Sequence, residues 1–177
     1  VSSTYSNLHA PQSGGMGQPI TGDFTKFDFS TGMTTTDAND WDIAFRGATI
    51  IVNGGASTGT NDEPTRTGAA AAGIANGTFA TVVSADIALT QDSASGPAIQ
   101  SGSGNGWYTY SGPPTFIITP TPGKILVFKT RDDRYAKVEI LSYYKNAPAS
   151  PNAFVDESRY YTFNYLYNPN KGNTDLQ

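Results

Sequence analysis

The chain has no cysteine and a single histidine, His9, and these two scarcities remove whole classes of chemistry. Without thiols there is no disulfide framework, no thiolate metal site and no cysteine nucleophile. With one imidazole, placed in an unpatterned N-terminal segment, a nucleophile-base-acid arrangement has no base, and a zinc centre has too few ligands at close spacing. Positive charge is scarce too. The 11 Lys and Arg are dispersed and stand against 15 Asp and Glu, a net charge of −4 that disfavours nucleic acid and anionic headgroups as partners. No apolar run approaches the roughly 20 residues a membrane helix needs, and no basic segment leading into an apolar one opens the chain. The chain starts Val1-Ser2-Ser3-Thr4 with no initiator Met, which is compatible with an export signal or lipid-attachment cysteine lost in processing.

Glycine and proline are plentiful, 19 and 11 in 177 residues, among many Thr, Ser and Asn. That mixture interrupts helices and favours short strands joined by turns, so an all-β fold with little helix is expected, and the length suits one core and one domain. Residues 1–23 lack either hydrophobic period and read as an irregular arm, with Ser13-Gly14-Gly15-Met16-Gly17 at its centre. Residues 24–168 carry the β domain, and 169–177 read as a frayed tail.

Within the domain, Phe27 and Phe29 alternate with Lys26, Asp28 and Ser30 as in a half-buried strand, and a turn is expected near Gly32. Trp41-Asp42-Ile43-Ala44-Phe45-Arg46 and the β-branched Thr49-Ile50-Ile51-Val52 predict a long strand or bent pair. Asn53 to Gly77 is rich in Gly, Ala, Thr and Asn and predicts a long loop, with at most one helical turn at Ala69-Ala70-Ala71-Ala72. Residues 78–90 offer strand or short-element material, and 91–105 form a second small-polar loop. Trp107-Tyr108-Thr109-Tyr110 predicts a short strand ended by Gly112-Pro113-Pro114. Lys124 to Tyr144 predicts a hairpin turning at Arg131-Asp132-Asp133-Arg134, and Tyr160 to Tyr167 a final strand with Tyr161, Phe163, Tyr165 and Tyr167 on one face.

The candidate chemistry is thin. Paired carboxylates for glycoside hydrolysis could be drawn from Asp40, Asp42, Asp132, Asp133, Glu139, Asp156 and Glu157, yet no spacing singles out two of them. Asn61-Asp62-Glu63 lacks the alternating ligand set of a calcium loop and reads as a turn. The aromatics say more: Trp41, Trp107 and tyrosines at 108, 110, 143, 144, 160, 161, 165 and 167 are too many to be buried together with satisfied hydroxyls, so some are expected at a surface or cleft.

Three segments together resemble the HmuY family of bacterial haem-binding proteins: Asp40-Trp41-Asp42-Ile43-Ala44-Phe45, Gly106-Trp107 leading to Ser111-Gly112-Pro113, and Lys124-Ile125-Leu126-Val127-Phe128 through Tyr135-Ala136-Lys137-Val138 to Tyr143. Phe27-Asp28-Phe29-Ser30-Thr31-Gly32 looks like the strand that precedes the Trp-Asp motif in that family. The resemblance implies an all-β fold, no enzymatic activity, a ligand cleft between loops at one end, and secretion or lipid anchoring at the outer-membrane surface, with an outer-membrane receptor as a partner. It implies haem as the cofactor, ligated from a loop before and a loop just after the Gly-Trp strand by histidines or, in some relatives, methionines. Here those loops, 91–105 and 111–122, hold neither, and Met16 and Met33 lie elsewhere.

By position, the candidate ligand-binding residues are Trp107, Tyr108, Tyr110, Ser111 and Gly112. Tyr108 or Tyr110 is the candidate oxygen ligand, because a phenolate can bind ferric haem. A glycan-binding surface module is the alternative, since sugar faces stack on Trp and Tyr.

Overall fold

Whether an apolar run is continuous or alternating decides how many faces of a strand are covered. Ile125-Leu126-Val127-Phe128 is continuous, and all four side chains are buried in the computed structural model, which describes residues 2–177. They lie in β11 (Lys124–Lys129), in an antiparallel sheet with β1 (Ser2–His9), β8 (Ala71–Asn76), β12 (Tyr135–Tyr144) and β13 (Ser158–Asn168). The strand order is β1-β13-β12-β11-β8. Leu126 and Phe128 enter the main core, whereas Ile125 and Val127 meet Val82, Ala85, Leu166 and Leu176 on the opposite face.

A second antiparallel sheet comprises β4 (Thr25–Asp28), β5 (Met33–Thr35), β6 (Ile43–Arg46) and β7 (Thr49–Val52), in the order β5-β4-β6-β7. Phe27, Ile43, Phe45, Ile50 and Val52 face the first sheet and share its core. Trp41, Ala44, Ile51 and Phe24 form a cluster on the other side. Between the sheets the rings interlock: Phe27 meets Phe163 edge-on at 5.5 Å, and Phe45 meets Tyr161 at 4.8 Å. Each such pair adds about 0.5–1.5 kcal/mol beyond its buried area. Two short ribbons complete the described residues, β2 (Ser13–Gly15) with β3 (Gln18–Thr21) and β9 (Tyr108–Tyr110) with β10 (Ile118–Pro120). No helix occurs among the described residues.

The Trp-Asp and Ala-Lys-Val segments tie this framework together. Asp42, 1% exposed, accepts the Phe29 N–H at 2.9 Å and the Arg131 N–H at 3.0 Å, and it faces the Arg131 guanidinium at 3.1 Å. It thereby joins the β4–β5 connection to the β11–β12 turn. Burial pushes its carboxyl up from the ordinary value, whereas Asp28, which burial also opposes, is held down by hydrogen bonds from Ser30 and Arg131. Lys137 turns away from the main core, and its ammonium donates to the carbonyls of Phe79 at 2.6 Å and Val82 at 2.8 Å, pinning the 78–82 turn over β12. Two further buried side chains, Asn53 and Asp92, bind only backbone and Arg66 or Thr67 partners around the 53–98 loops.

Four expectations need correction. The N-terminal segment is not an irregular arm: Ser2–His9 pairs with β13, and Leu8 is buried, because the open edge of β13 supplies ladder partners that no local period reveals. The long 53–77 loop contains β8, and the alanine run makes no helical turn. Its small side chains let the 87–90 segment lie against it, with Ala72 and Thr90 bonding each other in both directions and a Cβ on Gly73 falling 2.4 Å from the Ala88 carbonyl. Residues 78–90 form no strand and instead cover the outer face of β11 and β12. The tail is folded back: Leu176 is fully buried and Asn168 Nδ2 donates to the Asp175 carbonyl at 2.8 Å.

Candidate functional site

The Gly-Trp strand and its two flanking loops lie together, but they divide into a buried half and an exposed half. Trp107 belongs to the first. It is 2% exposed, its indole N–H donates to the Ala48 carbonyl at 2.9 Å, and its rings pack against Tyr108, Tyr143 and Tyr161 at 4.9 to 5.7 Å. Trp107 is a core residue and presents no face to a ligand. The signal that misled was its place at the start of a strand beside a polar loop.

Tyr108 is half-buried against that cluster, while Tyr110, two residues on, is 45% exposed. Ser111 and Gly112 shape the loop that follows. The Ser111 hydroxyl lies 2.7 Å from that of Thr115 and accepts the Ile117 N–H at 2.8 Å, while the Gly112 carbonyl accepts the Phe116 N–H at 2.8 Å. Gly112 has φ +65°, with no atom near its missing Cβ, so its role is conformational.

This closed loop projects a residue that the sequence reading did not select. Phe116 is 42% exposed and has φ +54°, a backbone region that bulky side chains avoid at a cost of about 1–3 kcal/mol. Its ring meets that of Phe154 edge-on at 5.8 Å. Phe154 comes from the β12–β13 connection and is 74% exposed, with Val155 at 77% beside it. That connection is also ordered by its own bonds, since Asn152 accepts N–H groups of Phe154, Val155 and Asp156 at 2.8 to 3.0 Å. The available signal was an apolar pair, Phe154-Val155, following two prolines with no hydrophobic period to bury it.

Of the usual iron ligands, His9 alone among the described residues stands toward this end, because it pairs with Tyr160 at the start of β13. Met16 is at the tip of the β2–β3 ribbon and Met33 is in edge strand β5, both exposed. His9 is exposed on β1, stacked 4.3 Å from Tyr160. Among the described residues no group of three or more His, Asp and Glu could hold a metal ion. The residues present therefore do not fit a histidine or methionine pair on haem. They do offer an apolar surface and one exposed phenol.

Two open cavities are lined by none of the candidate residues. One of about 530 Å³ sits in the 91–105 loop among Gln91, Ser93, Ser95, Gln100 and Ser101, and one of about 790 Å³ runs beside β5, lined by Asp23, Lys26, Thr34 and Asp62.

The model of the HmuY protein family matches residues 21–165 of this chain. Among solved structures, a protein of Bacteroides vulgatus described as HmuY-like and heme-binding is 19% identical, covers 93% of this chain and 90% of its own, and superposes with a TM-score of 0.51. A Bacteroides fragilis protein described as a lipoprotein is 14% identical, with 80% and 82% covered and a TM-score of 0.49. At these identities the likeness is one of fold. No curated protein matches the chain.

Proposed function

The chain belongs to the HmuY family, and from that premise we propose that it is a surface or secreted binding protein that captures haem or a related porphyrin without a histidine or methionine pair on the iron. The family match over residues 21–165 carries this reading. The heme-binding description of the Bacteroides vulgatus neighbour supports it. Capture takes place at the loop end, where Tyr110 is the more exposed of the two phenols, and no catalysis is involved. Lipid anchoring at the outer-membrane surface and transfer to an outer-membrane receptor belong to the same reading, as the lipoprotein habit of the family implies.

Titration with ferric haem tests it. Two strong axial ligands make the iron low-spin, whereas one phenolate, or none, leaves a weaker field. The bound spectrum is expected to be high-spin, and Tyr110→Phe to alter it while Tyr108→Phe leaves it unchanged. Absence of any Soret shift at micromolar haem, ferric or ferrous, rules the reading out.

One observation favours the alternative of a neutral glycan. The loops flanking the Gly-Trp strand are rich in hydroxyl and amide side chains, and between Ser93 and Gly123 there is no Asp, Glu, Lys, Arg or His.

A further inference from the structure

An asparagine followed by glycine carries a built-in reaction, because no Cβ on the next residue keeps its amide nitrogen away from the asparagine side chain. Three such pairs occur here: Asn53-Gly54, Asn76-Gly77 and Asn105-Gly106. Glycine follows in each, so what separates their rates in the folded protein lies in the structure.

Two of the pairs are held. Asn53 is fully buried, its Nδ2 donates to the Asn39 and Trp41 carbonyls at 3.1 and 2.8 Å, and its Oδ1 accepts the Thr67 and Gly68 N–H groups. Reaching that side chain requires local opening of the structure around it. Asn76 is exposed, but it ends β8 in register with Lys124, whose ammonium donates to its Oδ1 at 2.7 Å. The Gly77 N–H, the nucleophile of that pair, is engaged with the Gly123 carbonyl at 3.0 Å.

Asn105 differs on both counts. It is exposed in the loop ahead of β9, and its side chain makes a single hydrogen bond, from Nδ2 to the Ser101 carbonyl at 3.2 Å. The Gly106 N–H donates to no protein acceptor among the described residues. Position 106 nevertheless requires glycine, since a Cβ there would fall 2.1 Å from the Gln100 carbonyl oxygen. The packing that excludes a side chain at 106 therefore keeps the reactive pair in place.

We propose that Asn105 is a self-modification site, at which the loop before the Gly-Trp strand acquires a carboxylate by deamidation. The Gly106 nitrogen, on losing its proton to hydroxide, bonds to Asn105 Cγ; the Cγ–Nδ2 bond breaks and the nitrogen leaves as ammonia, closing a succinimide ring. Water then opens the ring at either carbonyl, giving aspartate, or isoaspartate with the main chain rerouted through the side-chain carbons and lengthened. Either product places a negative charge between Ser93 and Gly123, where the sequence has no Asp, Glu, Lys, Arg or His. Isoaspartate also lengthens the turn that the Gly104 N–H closes on the Tyr108 carbonyl at 2.9 Å, at the entry to β9. The loop thereby changes with the age of the molecule.

The test incubates the folded protein at mildly alkaline pH and follows all three asparagines by peptide mapping with mass spectrometry and an isoaspartate assay. Asn105 is expected to convert at least about tenfold faster than Asn53 or Asn76, equivalent to about 1.4 kcal/mol of barrier. In denaturant the three rates are expected to converge, because each asparagine is then followed by an equally free glycine. Asn105→Gln, whose longer side chain would have to close a larger ring, is expected to remove the early product and leave the other two rates unchanged. The proposal is overturned if Asn53 or Asn76 converts as fast as Asn105 in the folded protein, or if conversion at 105 appears only in denaturant.

Discussion

The β6 end of the molecule buries polar groups, while the loop end exposes apolar ones. Around Trp41, the side chains of Asp42, Asn53, Asp92 and Arg46 are each 3% exposed or less. At the loop tips Phe154 and Val155 are about three-quarters exposed. Both arrangements invert the usual placement, and both cost free energy unless something offsets it. At the first end the offset is internal, because every buried carboxylate there meets backbone N–H groups or a guanidinium, and the result is a defined geometry between chain segments far apart in sequence. At the second end nothing in the molecule offsets the exposure. Buried polar residues here tie the fold together, and the exposed apolar residues are left outside it.

The sharpest way to break this contrast is at Asp42. Asp42→Ala removes the acceptor of two backbone N–H groups and one of the two close carboxylates of Arg131, and breaking such a buried pair costs about 3–5 kcal/mol. Because Asp28 still faces Arg131 at 3.0 Å, the lower end of that range is expected in denaturant unfolding. A loss below about 1 kcal/mol would mean that the polar network is incidental to the fold.

Glu63 gives a pH-resolved version of the same question. Burial opposes its ionisation, but hydrogen bonds from Thr58 and Thr60 outweigh it and hold its pKa at about 2, below the ordinary 4.5. A depressed carboxylate stabilises the fold fully above its unfolded value, and that stabilisation is lost as the pH falls toward the folded one. Glu63→Gln is therefore expected to be less stable than the parent by on the order of 2–3 kcal/mol at pH 7, with the gap closing between about pH 4.5 and 2. Asp42 and Asp92 are raised by burial and act in the opposite sense above their ordinary value, so the difference between variant and parent is the quantity to follow. A gap that stays constant down to pH 2 would contradict the assignment.

At the loop end the expected effect on stability is the smallest. Phe154→Ser removes a side chain whose ring touches mainly Phe116, so its unfolding free energy should stay within about 0.5 kcal/mol of the parent. A larger loss would move Phe154 from the exposed class to the structural one.

Much of the framework was legible because it rests on local period. The β11–β12 hairpin, the aromatic face of β13 and the β6–β7 pair each follow from alternation or β-branching over a few residues. The Trp-Asp and Ala-Lys-Val segments were legible as a family pattern, although their physical roles, a carboxylate stapling two turns and a lysine capping a third, needed coordinates. β1 and β8 were not legible. One is polar and the other is Ala-Gly-rich, and both are strands only because an adjacent edge, β13 or β11, offers them hydrogen bonds.

The candidate residues divided in the same way: Tyr110 is exposed and Trp107 is buried, and Phe154, which the sequence reading did not select, is exposed. By itself the sequence determined the all-β class, the absence of thiols and the small-polar character of the loops, since composition and short-range period are properties of the chain. Only the tertiary structure decided which aromatic rings are covered. Trp107 is sealed by Ala48, Tyr143 and Tyr161, brought to it from distant strands, whereas nothing is folded over Phe154. Burial is a property of what comes to lie against a residue, and no window along the chain contains that information.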